Sequence, residues 1–215
     1  MSTNDPQPDW VRLEERAKAA FDQGNLLHAR DLLVEASGAV GADSIVFSNL
    51  GLVSLGLEDY QGAIDAYSSL AEPDLQSRVN RGLAYERAGD VESARADYRA
   101  ALLLDPDDVA ALVNLGTLEL EFGSDDAGRA VLEHAYALDP TTGWQLSDAL
   151  RAAGDLDAAA EVLRAAAEAG EPRAYLDLAD VEHERGDLDA SEAAFEAAIA
   201  AGVAEQADDD EGAGS

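Results

Sequence analysis

Cysteine is absent from this 215-residue chain, which excludes a disulfide framework, a thiolate metal site and a cysteine nucleophile. Basic residues are scarce: 14 lysines and arginines face 45 aspartates and glutamates, and Lys18 is the single lysine. A formal net charge of -31 leaves no positive footprint for phosphate, so nucleic acid is not an expected partner. No apolar run approaches the roughly 20 residues of a membrane-spanning helix. The opening Met1-Ser2-Thr3-Asn4-Asp5-Pro6 lacks the basic and apolar regions of a secretory signal. A cytoplasmic location without a membrane partner is the expectation.

Catalytic constellations are equally scarce. His28, His134 and His183 are far apart and lack ligand pairs in a repeated pattern, so neither a metal site nor a general base is expected. Gly51 to Gly56 has the glycine spacing of a P-loop, but Leu57 and Glu58 follow where lysine and a hydroxyl are required. The acidic run Asp208 to Glu211 lacks the loop glycine and terminal bidentate glutamate of a calcium loop. No cofactor and no enzymatic activity are expected.

What is present is a repeat. Gly24, Glu58, Gly89, Gly123, Gly154 and Gly186 follow one another at 34, 31, 34, 31 and 32 residues. Seven residues before each stands a small residue: Ala17, Gly51, Gly82, Gly116, Ser147 and Ala179. Five residues after each stands another: Ala29, Ala63, Ala94, Gly128, Ala159 and Ser191. Nine residues after each the side chain is large and apolar: Leu33, Tyr67, Tyr98, Leu132, Leu163 and Phe195. Two antiparallel helices approach closely only where each presents a small side chain, because close-packed interiors do not tolerate extra methylenes. The small residues twelve apart are therefore expected to meet across a tight turn, with the large residue filling the space beside them. Each such pair leaves one face apolar, so the units must stack. Helix formers dominate, and no stretch alternates β-branched and aromatic residues with period two, so strands are not expected. Pro73, Pro106, Pro140 and Pro172 fall at unit junctions, and Pro6 and Pro8 precede the first unit.

The third unit reads Gly82-Leu83-Ala84-Tyr85, Gly89-Asp90, Ala94, Tyr98, Ala101 and Leu104-Asp105-Pro106. The fourth repeats Asn114-Leu115-Gly116 and Leu138-Asp139-Pro140, and the second carries Asn49-Leu50-Gly51, Tyr60, Ala63 and Tyr67. This pattern resembles the tetratricopeptide repeat family. Arg16 and Arg81 depart from it, standing where leucine usually precedes the small residue, as does Asp125, which replaces an apolar residue after the turn. The resemblance implies an all-α, right-handed solenoid of about six helical hairpins over residues 10–203. The units fall approximately at 10–43, 44–74, 75–108, 109–139, 140–171 and 172–203, between a disordered leader over 1–9 and a disordered acidic tail over 204–215.

The resemblance also implies a non-enzymatic scaffold that holds a peptide or helix of a partner protein in a groove lined by the first helix of each unit. It places Asn49, Asn80 and Asn114 at one equivalent inner position, where amides both donate and accept and can hold a peptide backbone; the competing reading is that they satisfy polar groups between neighbouring helices. Ser48, Leu52, Leu55, Val79, Leu83, Arg87, Val113, Thr117 and Leu120 complete the expected lining. The basic residues of the family's carboxylate clamp are not reproduced, since Glu14 and Ser48 stand where the first would be, although Lys18 occupies a plausible inner position. Arg78, Arg81, Arg87, Arg95 and Arg99 gather within 22 residues and form a candidate patch for an anionic partner, or for the Asp208 to Glu211 tail acting as a plug. The competing reading is pairing with neighbouring acids along the helices. No convincing polar cap follows Phe195, Ala198 and Ile199, so self-assembly into a homodimer through the last unit is the alternative role. The acidic, lysine-poor composition resembles that of proteins from salt-accumulating microbes, halophilic archaea above all. Self-repulsion of this size destabilises a compact chain in dilute buffer, whereas at 1 M salt the Debye length falls to about 3 Å.

Overall fold

A computed structural model of the protein describes residues 8–203. Twelve α-helices and one 3-10 turn, with no strand, make up the described residues. The chain divides into two compact units, 1–106 and 107–215. The first holds α1 (Asp9–Asp22), α2 (Leu26–Ser37), α3 (Ser44–Gly56), α4 (Tyr60–Ser68), α5 (Leu75–Arg87) and α6 (Val91–Leu102). The second holds α7 (Val109–Phe122), α8 (Asp125–Leu138), a 3-10 turn over Pro140–Thr142, α9 (Gly143–Ala152), α10 (Leu156–Glu168), α11 (Ala174–Arg185) and α12 (Leu188–Ala200). Of the leader expected over 1–9, Pro8 and Asp9 already cap and open α1, as suits a proline and an acid at a helix start. The rest of it, and the tail over 204–215 with its plug role, lie outside the described residues.

The repeat pattern becomes hairpins through paired turn chemistry. Gly24, Glu58, Gly89, Gly154 and Gly186 take φ between 58° and 83°, the left-handed conformation that ends a helix. The next residue in each case caps the following helix: Asn25, Asp59, Asp90, Asp155 and Asp187 accept a backbone N–H three residues on, at 3.0–3.2 Å. Gly123 departs from this, with φ at -122°, and Ser124 caps α8 at 3.4 Å instead. Asp125, anomalous as an apolar position, opens α8 as an exposed acid in its first turn.

In the three hairpins whose small residue is glycine, that residue on the first helix faces the large residue sixteen positions on. A methyl group built on Gly51 would lie 2.6 Å from the Tyr67 ring, one on Gly82 2.6 Å from the Tyr98 ring, and one on Gly116 2.6 Å from Leu132. The expected approach of the small residues twelve apart also occurs: Ser191 Oγ donates to the Ala179 carbonyl at 2.8 Å. Leu33, Tyr67, Tyr98, Leu132 and Leu163 are buried accordingly. Phe195 is not; it is 49% exposed, contrary to its expected filling role. Within each compact unit the second helix of a hairpin is covered by the first helix of the next, α2 by α3, α4 by α5, α8 by α9 and α10 by α11, and no described helix follows α12. Arg16 on α1 is likewise exposed, and no described helix precedes α1.

The other departure, Arg81, is solved by an ion pair. Its Nε and Nη2 donate to the two carboxylate oxygens of Asp97 on α6, both at 2.7 Å, and Nη1 donates to Ser68 Oγ at 3.3 Å. Asp97 is buried by this pairing, and it holds the Arg81 pKa above its ordinary value. In the second unit Glu182, 1% exposed, takes the corresponding role, accepting from Arg164 and, at 2.5 Å, from Arg185.

Candidate functional site

In the first unit, α1, α3 and α5 are the first helices of their hairpins and touch in sequence, α1 on α3 and α3 on α5. Asn49 sits at the first of these junctions, and Asn80 where α5 meets α4. Asn49 Nδ2 on α3 donates to Glu14 Oε1 on α1 at 2.9 Å. Asn80 Nδ2 on α5 donates to the Tyr67 hydroxyl at 3.1 Å, and its Oδ1 accepts from Gln76 Nε2 at 3.1 Å. Both side chains thus tie neighbouring helices, and Asn49 Oδ1 keeps its acceptor capacity. Asn114, in the second unit, is half-buried and has no side-chain hydrogen bond among the described residues.

A pocket of about 310 Å³ opens between α1 and α3. Its deep wall is Ala17, Leu33 and Val53, all buried. Its mouth is Phe21, Ile45 and Leu52, which remain 42%, 49% and 46% exposed. Glu14, Lys18, Asp22 and Asn49 supply the polar rim. Of the expected lining, Asn49 and Leu52 belong to this pocket. Ser48, Leu83 and Val113 are half-buried, and Arg87 and Thr117 are exposed. Val79 is buried and offers no surface. Leu55 packs on the core formed with α4, and Leu120 packs over Gly128 on α8, because a leucine opposite a glycine is drawn into the hairpin. Phe21 and Ile45 are additions to the expected lining: the α1–α2 hairpin carries Glu15 instead of an asparagine two residues before Ala17, and the available signals are the register of Phe21, four residues past Ala17, and of Ile45, four before Asn49.

The arginine cluster is partly consumed within the unit. Arg81 is held by Asp97 and Arg95 pairs with Glu92. Arg87 and Arg99 are exposed, and Arg78 buries its Nε without a hydrogen-bond partner among the described residues.

The second unit presents a different surface. A cavity of about 460 Å³ is lined by Trp144 on α9, by Ala174, Leu176 and Asp177 on α11, and by Glu171 and Arg173 before it. Burial, with Asp148 and Asp180 nearby, pushes the Asp177 carboxyl above the usual carboxylate range, against the pull of Arg151 and Arg173. Gln145, on the same turn as Trp144, buries its Oε1 without a donor among the described residues. His134 lies 3.0 Å from Asp107, and no group of three metal-ligating side chains occurs among the described residues. No helix among them is long and apolar enough to cross a membrane.

A family model described as tetratricopeptide repeat matches residues 14–76, 79–141 and 145–209. The chain is 29% identical over 135 residues to the lipoprotein NlpI homolog of Haemophilus influenzae, an alignment covering 58% of this chain and 43% of that protein. It therefore spans less than half the length of this curated relative. Among solved structures it is similar to a tetratricopeptide repeat protein from Parabacteroides merdae, with a TM-score of 0.72, 19% identity, and coverage of 89% of this chain and 79% of that one. It is also similar to YrrB, described as a TPR protein with an unusual peptide-binding site, at a TM-score of 0.62, 15% identity, and coverage of 75% and 87%. MamA is similar at a TM-score of 0.60, 22% identity, and coverage of 70% and 92%.

Proposed function

Because the chain belongs to the tetratricopeptide repeat family, we propose that it is a non-enzymatic, cytoplasmic interaction scaffold that binds a peptide or helix of a partner protein. The observation that carries this reading is the pocket between α1 and α3. Three large apolar side chains stay about half exposed around it on a chain of net charge -31, and an open apolar mouth with a polar rim is the pattern of a recognition surface. An apolar side chain of the partner enters between Phe21 and Leu52, while Asn49 Oδ1 accepts a backbone N–H of the same segment. The Asn49 tie to Glu14 holds α3 against α1 and the Asn80 tie to Tyr67 holds α5 against α4, so these amides organise the surface as well as contact the ligand. YrrB's description supports this reading by likeness of fold. The test is capture of a partner at molar salt by wild type and by Leu52→Asp, a change on an exposed position that leaves the fold intact. Loss of the partner with unchanged circular dichroism supports the pocket; equal capture removes it.

A second reading rests on α12. Leu188, Phe195 and Ile199 remain exposed along it, and no described helix follows it. A second copy placed against this helix buries all three. Light scattering at micromolar concentration, with Phe195→Ser alongside, tests it: a monomeric wild type ends this reading.

A further inference from the structure

We infer that the second unit docks an arginine side chain of the partner in the cavity walled by Trp144. This rests on the scaffold reading and specifies the chemistry of what is bound.

The argument starts from an indole left in the open. Trp144 is 45% exposed, although a tryptophan has more to gain from burial than almost any side chain. It does not stand alone on a convex surface: with Leu176 and Ala174 it walls a cavity of about 460 Å³. An apolar wall of this kind accepts an aromatic, aliphatic or cationic side chain, and charge chooses among them. Asp177 and Glu171 lie on the lining, and Asp148 and Asp180 are close enough to act on Asp177. The basic side chains facing this group are Arg151, whose Nη2 is engaged by Glu184, and Arg173. The four acids therefore outnumber the cations around the cavity. The unit as a whole reinforces the sign. Residues 107–215 hold 27 acidic against 5 basic residues, a net of -22, whereas 1–106 hold 18 against 9, a net of -9.

A cation over an indole face is attracted by the ring quadrupole. A long basic side chain can also lay its methylenes on Leu176 and the ring while the charged end reaches the Asp177 carboxylate. Arginine fits better than lysine, since its planar, weakly hydrated guanidinium stacks on an aromatic and bridges a carboxylate with two N–H donors. The bidentate pair also offsets the cost of keeping Asp177 half-buried and charged.

The chain supplies its own reporter. Trp10 and Trp144 are its two tryptophans, so Trp10→Phe leaves Trp144 as the sole indole. The probe is acetyl-Gly-Gly-Arg-Gly-Gly-amide in molar potassium chloride, compared with the same peptide carrying citrulline, which keeps the shape and removes the charge. The expected result is a saturable change in Trp144 fluorescence with the arginine peptide and about tenfold weaker binding of the citrulline peptide. A lysine peptide binds more weakly than arginine. Asp177→Asn weakens the arginine peptide about tenfold, whereas Glu161→Gln, the same charge change on an exposed position of α10, changes it less than about twofold. Equal binding of arginine and citrulline peptides, equal loss in the two variants, or no response overturns the proposal. The arginine–citrulline comparison needs no change at Asp177, so it decides the matter even where that variant folds poorly. Loss of this response while Leu52-dependent capture persists removes only the arginine site; loss of that capture while the response persists removes only the first-unit pocket.

Discussion

The two compact units follow one repeat pattern and fill it with different chemistry. In the first, the space before Gly51 and Gly82 is taken by tyrosine rings, with the Tyr67 hydroxyl accepting from Asn80 and the Tyr98 hydroxyl donating to Glu86 at 2.8 Å. In the second, Leu132 stands before Gly116 and Leu163 is buried at the matching position, without a polar handle. The buried ionic contacts differ as well. Asp97 pairs with an Arg81 that is itself largely covered, 19% exposed, while Glu182 is served by Arg164 and Arg185 at 46% and 28% exposure. The lesson is that a repeat fixes side-chain volume at a position more tightly than ionisation, so neighbouring units of one fold can respond to different solvent conditions.

Salt removal should separate the units most. With a net of -22 against -9, the second unit carries far more self-repulsion once screening is withdrawn. Single-tryptophan variants keeping Trp10 or Trp144 report each unit, and the Trp144 signal should change at a higher potassium chloride concentration. Coincident midpoints would break the comparison. Next in size is Asp97→Ala, which strands Arg81 and should cost about 3 kcal/mol. Glu182→Ala should cost less, because its arginines can turn to water; denaturant titration at molar salt ranks the two. Gly82→Ala forces a rigid ring aside and Gly116→Ala a more adaptable leucine, so the expected losses are about 3 and about 1 kcal/mol within the range for overpacking. Equal costs would mean that ring and leucine yield alike.

The smallest effect is alkaline. Burial pushes the Tyr67 hydroxyl up to about 12, and Tyr98 is raised further by burial and by Glu86. The folded state thus holds these protons after the unfolded state has lost them. That stabilisation is complete below about pH 10 and is lost as pH rises toward 12. The first unit's melting temperature should fall over this window, and Tyr67→Phe should flatten the fall.

Several features were legible because they depend on neighbours in the chain. The glycine–aspartate pairs at 89–90, 154–155 and 186–187 are local turn chemistry, and each became a left-handed residue followed by a helix cap. Gly123 carried the same letter and took another conformation, since glycine permits the left-handed region without demanding it. The site was less legible. Asn49 and Asn80 were readable as a repeated position, yet their partners, Glu14 and Tyr67, lie 35 and 13 residues away. Nothing in the local pattern separates an amide that faces a ligand from one that ties two helices.

The sequence by itself determined an all-helical hairpin array, its turns and the volumes that alternate through its core, because spacing of small and large residues is a property of the chain. Only the tertiary structure decided which charges pair, as with Arg81 and Asp97, and which apolar side chains remain open, as with Phe21, Trp144 and Phe195. Exposure depends on whether another helix arrives to cover a face, and that is set by packing between segments distant in sequence.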